Sequence, residues 1–189
     1  LLTNVGTLNL TSKKNGIFIQ EADALTLTAA STGSNSAITV EILGLNQDLT
    51  LMSASAAGAV KLTTTGNLVS GNPGFPCLTS GTSATLVAGK AIGTVGTPLQ
   101  TSVAGSLSAT ASNGSLYLNN TGSLGTLLAL SATGGNIVAT NAGNAAIGTI
   151  SAVGHDIDLS VTGNITDAND VTPDAPGVLN IEASTLTLS

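Results

Sequence analysis

Charge and aromatic rings are nearly missing from this chain. Of 189 residues, four are Lys or Arg and ten are Asp or Glu; aromatics make up 2%, and tryptophan is absent. A single cysteine, Cys77, rules out an internal disulfide framework. One thiol fits either a cytosolic chain or an exported one held by its fold alone. Phosphate recognition needs clustered cations, and Lys13-Lys14 is the one adjacent pair in a chain of net charge −6. Nucleic acid and anionic lipid are therefore not expected as partners. No run of about 18 apolar residues occurs, so no membrane span is expected. Nor is there a 3.6-residue apolar period with helix caps.

What is present is small and aliphatic. Hydrophobic residues make up 42% of the chain, and the mean hydropathy of +0.42 opposes disorder. Ala, Leu, Ile and Val must fill the interior, while Thr, Ser and Asn supply the polar surface. With 23 glycines, this mix suits short strands joined by tight turns.

The chain also repeats itself. Val5-Gly6-Thr7-Leu8-Asn9-Leu10 returns as Ala104-Gly105-Ser106-Leu107-Ser108-Ala109, and Thr65-Gly66-Asn67-Leu68 returns as Thr162-Gly163-Asn164-Ile165. The offsets are 99 residues from Gly6 to Gly105 and 97 from Gly66 to Gly163. A single domain over 1–189, made of two super-repeats (about 1–98 and 99–189), is expected. Within each copy a smaller unit recurs: Gly, Asp, Asn or Ser, then apolar, any residue, apolar. Asp48-Leu49-Thr50-Leu51 and Gly135-Asn136-Ile137-Val138 are examples. Alternation at period two marks a strand with one buried face.

Leu107, Leu116, Leu127, Ile137, Ile147 and Ile157 fall nine to eleven residues apart, so every second unit lies about 20 residues on. That step predicts an all-β fold, a parallel β-solenoid of about 20 residues per coil, wound right-handed as parallel crossovers usually are. Some nine coils about 4.8 Å apart would make a rod of about 45 Å. An antiparallel sandwich is the rival; Asn15-Gly16 and Asn113-Gly114 would serve its hairpins. It explains the 20-residue step less well. Two stretches break the rhythm, 69–84 with Pro73 and Pro76, and 166–176 with Pro173 and Pro176. Proline cannot donate to an interior ladder, so both are expected to leave the rod as protrusions.

The Gly-x-apolar-x-apolar units, the Ala/Ser/Thr/Asn-rich turns, and Gly89-Lys90-Ala91-Ile92-Gly93-Thr94 followed by Pro98-Leu99 resemble large bacterial exoproteins. These are the filamentous haemagglutinin-like and autotransporter-like β-helix proteins. The resemblance implies a right-handed parallel β-helix, secreted or held at the cell surface, serving as fibre, stalk or adhesin shaft. The Asn-Pro-Asn-Gly motif of their secretion domain is absent. The chain is accordingly read as an interior stretch or a processed product.

Candidate chemistry is sparse. His155 stands beside Asp156 and Asp158, but no Gly-x-Ser-x-Gly elbow supplies a nucleophile. It reads as a solvent-facing residue where a strand begins. Asp167, Asn169, Asp170 and Asp174 gather oxygen ligands that suit calcium, without an EF-hand or Gly-Gly-x-Gly-x-Asp spacing. A solvated turn is the plainer reading. Phe18 and Tyr117, each between two apolar residues, should point outward; with Phe75 and Cys77 of the Pro-rich protrusion they are the candidate lateral contacts. Thr-x-Thr pairs do not recur at each coil step, which counts against an ice-binding face. Paired carboxylates and a sugar-stacking platform are missing, so an enzyme is not expected, and neither is a cofactor. The expected role is structural: a fibre or adhesin-shaft segment that self-associates end to end. The alternative is a module on a β-helix that binds glycans or a host surface, and a polysaccharide-active enzyme comes third.

Overall fold

The computed structural model describes residues 1–122, 126–169 and 179–189. They form strands and turns with no helix, and hence no helix long and apolar enough to cross a membrane. In chain order the first strands are β1 (Leu2–Thr3), β2 (Thr7–Ser12), β3 (Ile17–Glu21), β4 (Leu25–Ser31), β5 (Ile38–Ile42) and β6 (Leu49–Ala56). Next come β7 (Val60–Thr64), β8 (Leu68–Ser70), β9 (Leu78–Ser80), β10 (Ser83–Ala88), β11 (Leu99–Val103) and β12 (Ser106–Ala111). The last are β13 (Leu116–Asn120), β14 (Thr126–Ala132), β15 (Ile137–Asn141), β16 (Ala145–Val161), β17 (Ile165–Asp167) and β18 (Ile181–Leu188).

Strands pair in parallel with the next strand but one, which winds the chain into a β-solenoid of about 8 turns with about 21 residues per turn. The fold is the expected one, a coil shorter than nine. Two rows of strands result. Row A stacks β1, β3, β5, β7, β10, β12, β14 and the first half of β16. Row B stacks β2, β4 and β6, then β8 and β9 with β11, and then β13, β15 and the second half of β16. β17 and the first part of β18 follow β16 in row A, and the second part of β18 follows it in row B.

Period-two alternation inside each strand becomes columns along the axis. In row B, Leu25, Leu49, Leu68, Ile92, Leu116, Ile137, Ile157 and Leu186 lie one above another. In row A, Ile17, Ile38, Val60, Ala84, Leu107, Leu128 and Ile147 do the same. Leu107 therefore stacks on Leu128 and not on Leu127, which corrects the step read from sequence. Each buried Leu or Ile side chain contributes about 1.5–3 kcal/mol relative to exposure. With hardly any rings available, these columns are the core.

Polar ladders fix the register that identical aliphatic rungs would leave free to slip. Asn120 and Asn141 occupy inward positions of β13 and β15 and are buried. Asn120 Nδ2 donates to Asn141 Oδ1 at 2.8 Å, while Asn120 Oδ1 accepts from Thr101 Oγ1 at 3.0 Å and from Val103 N–H at 3.2 Å. Asn141 Nδ2 in turn donates to the carbonyls of Gly143 and Asn144. A second device explains the Gly/Asp/Asn/Ser that opens each repeat unit. Asp48 Oδ1 accepts from Asn67 N–H at 2.6 Å, Asn67 Oδ1 from Ala91 N–H at 3.2 Å, and Asn136 Oδ1 from Asp156 N–H at 3.1 Å. The side chain that starts one strand thus caps the amide starting the strand above it. At Gly105 the coils pass so close that a Cβ would lie 1.8 Å from the Thr82 carbonyl oxygen. Gly93, at φ +64°, is held in the left-handed region.

Candidate functional site: the open ends and flank of the rod

Glu21 is the one buried carboxylate among the described residues (0% exposed). It sits in row A one rung above Thr3. Thr3 Oγ1 donates to Oε2 at 2.6 Å, Val5 N–H reaches both oxygens at 3.2 Å, and Ala22 N–H donates to Oε1 at 2.9 Å. Burial pushes this carboxyl up, but the Thr3 hydroxyl and the amides of Asp23, Val5 and Ala22 outweigh it and hold Glu21 below the usual glutamate value. A depressed carboxylate stabilises the fold above its unfolded pKa, near 4.5, and that contribution is lost as pH falls through the folded value. Protection of the Val5 and Ala22 amides, measured as exchange relative to the intrinsic rate at each pH, should therefore fall below about pH 4.5, and this acid dependence should vanish in Glu21→Gln. Equal acid sensitivity of both proteins would show that Glu21 does not pin the first turn.

Among the described residues, the outermost rungs of the columns are more exposed than the inner ones. Leu8 and Leu10 of β2 are only partly buried, and Leu1, Leu2 and Val5 beside them are exposed. At the other end, Leu186 is 43% exposed and Leu188 50%, whereas Leu116 and Ile137 in the Leu186 column are fully buried. Leu179 and Ile165 are exposed there too. A hollow of about 390 Å³, lined by Ile147, Ile165, Thr166, Asp167, Asn180 and Ile181, opens into the same end. Among the described residues, β2 pairs with β4 alone and β18 with β16 alone.

The flank of row B carries the expected protrusion, but a shorter one. Only 71–77 leave the row, because β8 and β9 stay in it. A second excursion over 93–98 follows on the next coil between Ile92 and Leu99, closed by a mutual backbone pair of Thr94 with Thr97. Sequence reading misses it; the six residues between Ile92 and Leu99, against one between the neighbouring rungs Leu116 and Leu118, are the available signal. Phe75 is 67% exposed on the first excursion and Val95 80% on the second. Cys77 is corrected: it is buried, its sulfur against the Gln100 carbonyl at 3.2 Å, and burial raises its thiol pKa. It is therefore not a surface contact.

The other candidate residues are not brought together. Phe18 is half exposed, but on row A, in register with Thr39. Tyr117 is half-buried on row B, in register with Val138. The long repeat moves a strand from one row to the other, as from β2 to β12, so the two rings do not share a face. His155 is half-buried within β16. Of the calcium candidates, Asp170 and Asp174 lie outside the described residues. Asp167 Oδ1 accepts from Asn169 N–H at 2.7 Å and from Asn180 Nδ2 at 2.6 Å, so amides already use that oxygen. The Thr file is more regular than expected at the start of row B, where Thr7, Thr26 and Thr50 are in register before Val69 ends it. Among the described residues no three His, Cys, Asp or Glu side chains gather as a metal set. Comparison with protein-family models, with curated proteins and with solved structures finds no match to this chain.

Proposed function

We propose that this chain is a structural segment of a repetitive extracellular fibre or adhesin shaft, extended end to end by further coils. The observation that carries the reading is the regular stack itself: strands pair in parallel from coil to coil, and one aliphatic column runs from Leu25 through Leu49, Leu68, Ile92, Leu116, Ile137 and Ile157 to Leu186. Each coil buries the rungs of the one beside it, so the architecture extends along its axis by repeating one kind of contact. Export to the cell surface is part of the proposal and draws on the resemblance of the repeat units to bacterial β-helix exoproteins. A flank of hydroxyls and amides with few charges suits a passive shaft.

Negative-stain images of the purified protein at rising concentration test this. The expected result is rods that lengthen in steps of one molecule, about 40 Å for eight coils at the parallel-strand spacing. Discrete single particles at every concentration would count against a fibre.

A glycan-binding reading draws on Phe75 and Val95, which stand out from successive coils of one face. Deleting 71–77 and 93–98 and repeating a glycan-array measurement tests it. Unchanged binding would remove these excursions from consideration.

A further inference from the structure

We propose that the Asn15-Gly16 peptide is a self-modifying site. The Gly16 nitrogen displaces ammonia from the Asn15 side chain, and water opens the resulting succinimide to aspartate or isoaspartate. The inference is separate from the fibre reading and needs no partner.

The chain holds two Asn-Gly pairs, Asn15-Gly16 and Asn113-Gly114, 98 residues apart at matching corners of the long repeat. The first lies between β2 and β3, the second between β12 and β13. In both, glycine leaves the attacking nitrogen uncrowded by a side chain. The surroundings of the peptide group differ. Ser12 Oγ donates to the Asn15 carbonyl oxygen. Buried Ser31 Oγ lies 3.0 Å from the same oxygen and shares its one proton between that oxygen and Ser36 Oγ at 2.7 Å. Ser12 and Ser31 are register partners at the ends of β2 and β4, so strand pairing itself brings both hydroxyls to this corner. At the second corner the matching register pair is Ala111 with Ala132, which offers no hydroxyl. Asn113 is held instead by its side chain, whose Nδ2 donates to the Gly89 carbonyl at 3.0 Å. That bond ties up the carboxamide which Gly114 would have to attack.

Loss of the Gly16 amide proton puts negative charge largely on the Asn15 carbonyl oxygen, because the two atoms belong to one peptide group. Hydroxyls placed at that oxygen favour the charged form, as donors do at any developing oxyanion. The Gly16 nitrogen then bonds to Asn15 Cγ and the Cγ–Nδ2 bond breaks. The side-chain amide leaves as ammonia, taking up the proton that Gly16 gave. Asn15 and Gly16 are exposed, so water reaches the imide. Its addition to one imide carbonyl gives aspartate and to the other isoaspartate, with no net oxidation or reduction.

Either product adds a carboxylate at this corner, and isoaspartate also lengthens the main chain by one carbon. The corner has no slack for it. A Cβ on Gly33 would lie 2.5 Å from the Lys14 carbonyl oxygen, and one on Gly16 2.7 Å from the Ala37 carbonyl oxygen. The extra atom must therefore shift the corner against the coil stacked on it.

Peptide mapping by mass spectrometry, after incubation in heavy-oxygen water at mildly alkaline pH, tests the site. In the folded chain, label should enter at Asn15 about tenfold faster than at Asn113. In denaturant, where neither corner exists, the two rates should converge. Ser12 is only half-buried, so its hydroxyl can be removed without opening the core. Ser12→Ala should slow labelling at Asn15 by about two- to tenfold, and Ser12→Thr, which keeps the hydroxyl, should not. Equal rates at the two sites in the folded chain would overturn the proposal. So would a preference for Asn15 that persists in denaturant, or a rate left unchanged by Ser12→Ala.

Discussion

Replacing Asn120 with alanine is expected to destabilise the rod by about 3 kcal/mol or more, among the largest losses any single truncation here should produce. Three neighbours lose their partner at once: Thr101 Oγ1, Val103 N–H and Asn141 Oδ1. Each sits against an inner column where water does not compete, and a buried polar group left unpaired costs about 1–3 kcal/mol. Asn120→Leu should fare no better, despite its bulk, because it satisfies none of the three. Asn120→Asp separates shape from chemistry. An ionised aspartate would set negative charge against Asn141 Oδ1, so its pKa should rise in the fold. A carboxyl raised on folding favours the neutral form, and this variant should gain stability as pH falls, opposite in sign to the Glu21 effect. Denaturant unfolding of the variants across pH 4–8 reads all of these. A loss within about 0.5 kcal/mol for Asn120→Ala would mean that the ladder does not carry its coils.

That ladder is legible in the sequence, though hidden by the residue type. Counting inward positions by twos from Leu116 reaches Leu118 and then Asn120, and from Ile137 reaches Ala139 and then Asn141. Two asparagines one coil apart, both on the buried parity, are a stronger signal than either alone. Asparagine's usual place in turns hid it. The column Leu116, Ile137, Ile157 is legible because its steps of 21 and 20 residues are nearly equal. The partner of Leu107 is not legible, because Leu127 and Leu128 are adjacent and alike; only the pairing of whole strands decides for Leu128. The long repeat misled about faces for a related reason. Its step carries Phe18 in row A onto Tyr117 in row B, because the same short motif opens strands of both rows. Sequence similarity records the motif, not the side of the rod. The buried place of Cys77 was hidden because proline-rich surroundings signal an excursion but not where the chain rejoins the row.

The same leucine-to-alanine change should have very different costs at two points of a single column. Leu116 is fully buried between Ile92 and Ile137, and Leu116→Ala should cost about 2–5 kcal/mol through lost transfer energy and the cavity left behind. Leu186 is the last rung, stacked on Ile157 and 43% exposed. In the isolated molecule Leu186→Ala should cost under about 1.5 kcal/mol, since fewer contacts and less buried area are lost. The gap between the two is set by one missing neighbour. If a second molecule supplies that neighbour, Leu186→Ala should weaken end-to-end association out of proportion to its effect on folding. Leu116→Ala should weaken folding and leave association of the molecules that remain folded unchanged. Unfolding curves at low concentration and light scattering at high concentration measure the two quantities separately. Equal effects of both variants on association would show that the uncovered rung is not where the molecules meet.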